Sequence, residues 1–177
     1  MKLIYSIPEK IWFISNFLDH KMYKQIHNSI IKERKNINLC SSKGLWSDNL
    51  IDNLVPPLLN PINNYAPFEH LKTLVRHNPY FQLKNLKEMS SIIHYMKTGS
   101  GINWHNDGSW KYGATYYVNN RWNRQWGGEF MFINETAHGF VPIIGNSLVI
   151  IKSPMDHKVN PVLSPIIPRI SVQMFMK

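Results

Sequence analysis

His105 and Asp107 stand two residues apart in the stretch GINWHNDGSWKYG, residues 101–113. On an extended segment that spacing puts both side chains on one face. An imidazole nitrogen and a carboxylate oxygen placed so can be neighbouring ligands of one cation. A third ligand must then come from a distant part of the fold, and a set of two histidines and one carboxylate leaves three metal positions open. Taken alone, the pair fits a hydrogen-bonded polar turn equally well. A second residue with a chemical demand is Arg169, at the head of the apolar run RISVQMFM. A buried guanidinium needs a partner, because an unpaired buried charge is costly. A small dicarboxylate would supply that partner through a bidentate contact.

These residues need elements to position them. In SNFLDHKMYKQIHNSIIKER, residues 15–34, Phe17, Met22, Ile26 and Ile30 recur at helical spacing. Ser15 or Asn16 is the expected cap, and Asp19 suits the dipole of the first turn. VPPLLNPINNYAP, residues 55–67, holds four prolines and reads as an irregular connector. A short second helix is expected in FEHLKTLVRH, with Leu71, Leu74 and Val75 inward. From residue 88 the pattern changes. Short apolar or alternating runs follow one another between Gly, Pro, Asn and Ser: SSIIHYMK, GATYYVN, GGEFMFI, GFVPI, NSLVIIK, HKVNPVL and RISVQMFM. That spacing predicts a sandwich or jelly roll. The expected whole is mainly β with flanking N-terminal helices: one domain over 1–177, with 1–87 as mainly helical support and connector and 88–177 as the β core.

Composition narrows the function classes. The chain has 177 residues, 44% of them apolar, enough for one real core. No apolar run approaches the length of a membrane helix, and Pro8, Glu9 and Lys10 interrupt the apolar start. One cysteine, Cys40, rules out an internal disulfide framework and fits a cytoplasmic setting. The net charge of +9 favours encounter with anions, yet Lys and Arg are scattered and form no basic block.

The ordered set Tyr95, His105-x-Asp107, TYYVNNRW, GGEF, PIIGNSLVI, His157 and Arg169 resembles the 2-oxoglutarate- and Fe(II)-dependent oxygenases, and within them the prolyl 4-hydroxylase-like branch. The likeness covers residues 88–177. FISNFLDHKMYKQI also resembles that branch's entry, a strand followed by an amphipathic helix. The resemblance implies a double-stranded β-helix (jelly-roll, cupin-like) core. It implies Fe(II) held by His105, Asp107 and His157, with O2 as oxidant and ascorbate as a supporting reductant. It implies 2-oxoglutarate held by Arg169 and Tyr117, with Tyr95 lining the co-substrate pocket. Gly127, Gly128 and Gly145 match conformational glycines of the family. Catalysis would then rest on His105, Asp107, His157 and Arg169.

The chain departs from the branch at Ile102, where an aromatic residue often stands, and at Phe175, where a tryptophan is common. Trp110 or Lys111 stands in for an expected arginine. The implied reaction is hydroxylation of a substrate C–H, first of all a prolyl residue in a proline-containing or acidic peptide or protein. The alternatives are another side chain, a small molecule, or a non-catalytic β-helix binding module. Trp110, Lys111, Trp122, Arg124 and Trp126 are the substrate candidates. Nucleic acid is not expected as a partner: Ile93 stands where the related demethylases carry asparagine, and Lys177 is the one basic residue after Arg169. No membrane association is expected either.

Overall fold

The computed structural model describes residues 1–8, 10–33, 39–61, 66–81, 83, 86–135 and 137–177. Its elements, in chain order, are β1 (Lys2–Ile7), β2 (Ile11–Ser15), α1 (His20–Glu33), β3 (Cys40–Ser41), β4 (Leu58–Pro61), α2 (Ala66–Arg76), β5 (Met89–Met96), β6 (Ile102–His105), β7 (Tyr112–Tyr117), β8 (Phe130–Asn134), β9 (Ala137–Val141), β10 (Ser147–Lys152), β11 (Asp156–Val159) and β12 (Arg169–Met176). The main sheet runs β1-β2-β10-β7-β12-β5-β4-β3, and the smaller one β6-β11-β8-β9. All pairings within both sheets are antiparallel. The eight strands β5–β12 thus divide four and four, which is the double-stranded β-helix. No described helix is long and apolar enough to cross a membrane.

The central strands of the main sheet are buried on both faces. On β12, Ile170, Val172, Met174 and Met176 point outward into a core shared with the two helices, as do Ile93 and Tyr95 of β5 and Ala114 and Tyr116 of β7. Ile26 and Ile30 of α1, with Leu71 and Val75 of α2, close that core. Each such fully buried aliphatic side chain is worth roughly 1.5–3 kcal/mol. The opposite face looks toward the smaller sheet, and there apolar packing by Phe13, Phe130, Phe132, Val141 and Val149 gives way to a cavity lined by both polar and apolar side chains.

The entry to α1 is fixed by polar contacts. Asp19 Oδ1 accepts the Met22 amide at 2.9 Å, so the helix cap is Asp19 and not Ser15 or Asn16. Asn146 Oδ1 accepts from the Leu18 amide at 2.9 Å and from the Tyr116 hydroxyl at 3.0 Å, while its Nδ2 donates to the Leu18 carbonyl at 2.9 Å. One buried asparagine therefore ties the helix to β7 and β10.

The N-terminal half carries both helices and, as the family likeness implies, a strand ahead of α1; this β2, together with β1, β3 and β4, extends the main sheet. Pro8 and Lys10, which interrupt the apolar start, belong to the turn of a β1–β2 hairpin. The connector over 55–67 is partly regular: Leu58–Pro61 pairs with β5, and residues 62–65 lie outside the described residues. The second helix appears at Ala66–Arg76 with Leu71 and Val75 buried and Leu74 half-buried, as its pattern predicts.

Candidate metal centre

β6 and β11 are antiparallel neighbours, and their register sets His105 directly opposite His157. The two rings lie 4.2 Å apart between centroids. Asp107 follows β6 by two residues and turns back toward both. Its Oδ1 lies 4.0 Å from His105 Nε2 and 3.6 Å from His157 Nε2. One ligand atom from each of the three falls within 4.8 Å of the others. No other group of three such residues forms among the described residues.

Hydrogen bonding sets the imidazoles for this task. His105 Nδ1 lies 2.7 Å from the Asn103 carbonyl, and His157 Nδ1 lies 2.8 Å from the Met155 carbonyl. A carbonyl can only accept, so both Nδ1 atoms carry the proton and both Nε2 lone pairs face Asp107. Burial holds His157 down to about 4, with the charge of His105 adding to the effect; the Met155 carbonyl and Asp156 oppose it. Burial pushes the Asp107 carboxyl up, partly offset by His105. Its Oδ2 is buried without a partner. Two neutral nitrogens and a carboxylate with an unpaired oxygen fit a divalent cation, whose charge would favour the ionised Asp107. Gly113 makes this possible, because a Cβ there would collide with Asp107 Oδ2.

A cavity of about 350 Å³ opens beside the triad. Arg169 reaches into it from the first residue of β12 and is 1% exposed. Its Nη1 donates to Ser171 Oγ at 3.0 Å and approaches Met96 Sδ at 3.5 Å, while Nε has no partner. No carboxylate pairs with it among the described residues. Burial therefore lowers its pKa, with Tyr117 and Glu129 opposing. The Tyr117 ring lies 5.2 Å from the guanidinium carbon, and its buried hydroxyl makes no hydrogen bond. Burial raises the Tyr117 pKa, keeping the hydroxyl protonated as a donor. Arg169 thus brings an unpaired Nε to the cavity with Tyr117 beside its guanidinium, which fits a carboxylate. Gly128, at a φ of 78°, leaves room for the Arg169 stem: a Cβ would lie 3.0 Å from its Cδ.

Tyr95 is the expected pocket residue that the structure moves elsewhere. Its hydroxyl donates to the Ile30 carbonyl of α1 at 3.4 Å, on the outer face of the sheet. β5 pairs Tyr95 with Ile170 and Met96 with Arg169, so alternation turns Tyr95 away from the cavity. His94 lines the cavity instead. Burial holds its imidazole down to about 3, helped by the charges of Arg169 and His105.

The substrate candidates also divide. Trp110 lines the cavity and packs on Phe175 at 5.8 Å, with Lys177 Nζ 4.5 Å above its ring. Ile102 and Phe175, two of the departures from the family pattern, line it as well. Lys111 is exposed and does not line the cavity. Trp122 and Arg124 border a separate cavity with Arg121, Glu129 and Phe140, and Trp126 packs edge-on against Trp122. The loop over 119–127 is therefore not the mouth of the metal cavity. Trp46 and Leu50, which do border it, come from a loop pinned by Asn103 Nδ2 to the carbonyls of Asn49 and Asp52. Nothing in the local sequence around Trp46 marks it; its place follows from this long-range clasp.

The model of the 2OG-Fe(II) oxygenase superfamily matches residues 90–177. No curated protein matches the chain by sequence. Among solved structures, a prolyl hydroxylase from Trichoplax adhaerens, in complex with a hypoxia inducible factor peptide fragment, superposes with a TM-score of 0.78 at 16% identity, covering 96% of this chain and 84% of that one. A prolyl-4-hydroxylase from Pseudomonas putida gives 0.74 at 13% identity, covering 96% and 93%. A viral collagen prolyl hydroxylase from Paramecium Bursaria Chlorella virus-1 gives 0.69 at 13% identity, covering 96% of each chain. At these identities the likeness establishes the fold.

Proposed function

We propose that this chain of the 2OG-Fe(II) oxygenase superfamily, whose model matches residues 90–177, is an Fe(II)- and 2-oxoglutarate-dependent dioxygenase that hydroxylates a C–H bond in a peptide or protein, with a prolyl residue as the leading target. The observation that carries the reading is the placing of His105, Asp107, His157 and the unpaired Arg169 around one cavity. Fe(II), when bound, supplies O2 activation coupled to conversion of 2-oxoglutarate to succinate and CO2.

The chain's own residues supply geometry and environment. His105 and His157 offer Nε2, oriented by the Asn103 and Met155 carbonyls, and Asp107 offers the charge that matches a divalent ion. Arg169 and Tyr117 hold the distal carboxylate of 2-oxoglutarate, a charge-assisted contact in a dry setting. Trp46, Leu50, Ile102, Phe130, Trp110 and Phe175 form apolar walls that exclude water and accept a compact apolar group such as a pyrrolidine ring. The prolyl hydroxylase neighbours, one of them solved with a peptide, support the peptide class.

The test is a peptide screen with Fe(II), ascorbate and 2-oxoglutarate, following succinate and the gain of one oxygen atom by mass spectrometry. Oxygenated proline with matching succinate is the expected result. Oxygenation of other residues or small molecules alone would overturn the prolyl assignment. Succinate no higher than in Asp107→Ala would overturn the dioxygenase reading.

A further inference from the structure

One polar row on the cavity face of the main sheet goes beyond the triad and Arg169. Ser171 of β12 is the direct cross-strand partner of both Tyr117 on β7 and His94 on β5. Directly paired residues share a face, so Tyr117, Ser171 and His94 stand in line across three strands, on the side from which Arg169 projects. Strand spacing sets the Tyr117 and His94 backbones roughly 10 Å apart, with the small serine between them.

Three groups around this row lack a hydrogen-bond partner: the Tyr117 hydroxyl, Arg169 Nε and His94 Nε2. His94 is 4% exposed, and the Trp46 ring packs against it with centroids 5.4 Å apart and planes at 60°. Burial that deep excludes bulk water as the standing partner of Nε2, and an unpaired buried polar atom is costly. His94 is not among the residues whose ligand atoms gather at the metal site. Ser171 already accepts from Arg169 Nη1 at 3.0 Å. His94 and Arg169 line the same cavity, with Nε2 of the one and Nε of the other both unpaired. A carboxylate, planar with four acceptor lone pairs, matches that set.

We propose that His94 is a positioning residue for the co-substrate, donating from Nε2–H to the carboxylate held by Arg169. The inference rests on the dioxygenase reading and assigns to His94 a contact that the sequence pattern assigns to Tyr95. It also makes His94 a selectivity device: an oxo acid without the distal carboxylate gains nothing from it.

The test separates co-substrate binding from metal binding. 2-Oxoglutarate is titrated into the anaerobic Fe(II) protein, and Co(II) into the metal-free protein without 2-oxoglutarate, for wild type, His94→Phe and His94→Gln. His94→Phe is expected to raise the Kd for 2-oxoglutarate about tenfold or more, the worth of one hydrogen bond to a charged group, while Co(II) affinity stays within about twofold. His94→Gln, whose amide can reach a similar point, should recover most of the loss. In the wild-type Zn(II) protein, saturating 2-oxoglutarate should shift the His94 Nε2 nitrogen and proton resonances. Unchanged 2-oxoglutarate affinity in His94→Phe, or a His94 resonance that does not move, would overturn the contact alone; the resonance decides the matter should the variant not fold. A wild-type protein that binds the metal but not 2-oxoglutarate would overturn both this contact and the dioxygenase reading.

Discussion

The two faces of the strands β5, β12 and β7 differ more than any two elements of the molecule. On the outer face, Tyr95, Ile170, Val172, Met174 and Tyr116 pack against helices, and both tyrosine hydroxyls find partners. On the inner face, one residue along each strand, His94, Arg169 and Tyr117 are just as buried yet keep polar atoms unpaired. The outer face spends burial on stability, and the inner face holds desolvated donors ready for a charged ligand. A single step in strand phase separates the two tasks.

The sharpest way to break the contrast is to remove the charge at its focus. Asp107→Ala should weaken Co(II) or Fe(II) binding by more than about 100-fold, beyond what loss of an outer hydrogen bond to a ligand costs, with the fold retained. Gly113→Ala should move in the same direction without touching a ligand, because the added methyl group takes the space of Asp107 Oδ2. Metal titration with circular dichroism as the fold control checks both. A Gly113→Ala protein with wild-type metal affinity would show that Asp107 has room to spare.

Arg169→Met comes next. It removes a buried guanidinium that has no carboxylate partner among the described residues. The Kd for 2-oxoglutarate should rise about 10- to 100-fold, as for loss of a charge-assisted contact. The ligand-free protein should melt higher, by roughly 1 kcal/mol or more in stability, since an uncompensated charge leaves the interior. Calorimetry with and without 2-oxoglutarate would record the two opposite shifts.

Acid should act through the buried histidines that line the cavity. His94 and His157 are held to about 3 and about 4, below the ordinary value of 6.5. A histidine depressed by folding takes up its proton more readily when unfolded. The metal-free protein therefore keeps full stability above the ordinary histidine range and loses it as pH falls below about 6.5, at roughly 1.4 kcal/mol per unit for each residue. Asp107, whose carboxyl is pushed up, contributes with the opposite sign and offsets part of the loss. Denaturant melts at pH 7 and pH 5 should show the decline, and His94→Phe should flatten it.

The smallest effect is expected on the outer face. Tyr95→Phe removes one long hydrogen bond and should cost about 1 kcal/mol or less in stability, with 2-oxoglutarate affinity changed less than about twofold. A large loss of affinity in Tyr95→Phe would erase the distinction between the faces.

The same contrast explains what could be read in advance. The triad was legible because His105-x-Asp107 is a local spacing, and the likeness to a known family added His157 from beyond four intervening strands and gave Arg169 its role. The jelly-roll core was legible from short runs between turn residues. The phase of β5 was not: SSIIHYM is buried on both faces, so no alternation of apolar and polar residues distinguishes His94 from Tyr95. Register against β12 fixes it, through the pairing of Ser171 with His94. The strand before α1 was legible from the family likeness, whereas LLNP of β4 was hidden for a related reason, since its partner β5 lies far along the chain. Trp122 and Arg124 drew attention by residue type, but topology carries their loop to another cavity.

The central claim is that His105, Asp107 and His157 hold Fe(II) next to a 2-oxoglutarate site built on Arg169. Anaerobic addition of Fe(II) and then 2-oxoglutarate, followed by visible absorption, tests it most directly. A weak metal-to-ligand charge-transfer band is predicted for wild type and for Tyr95→Phe, and none for Asp107→Ala. No band in the wild-type protein, or an undiminished band in Asp107→Ala, would contradict the account.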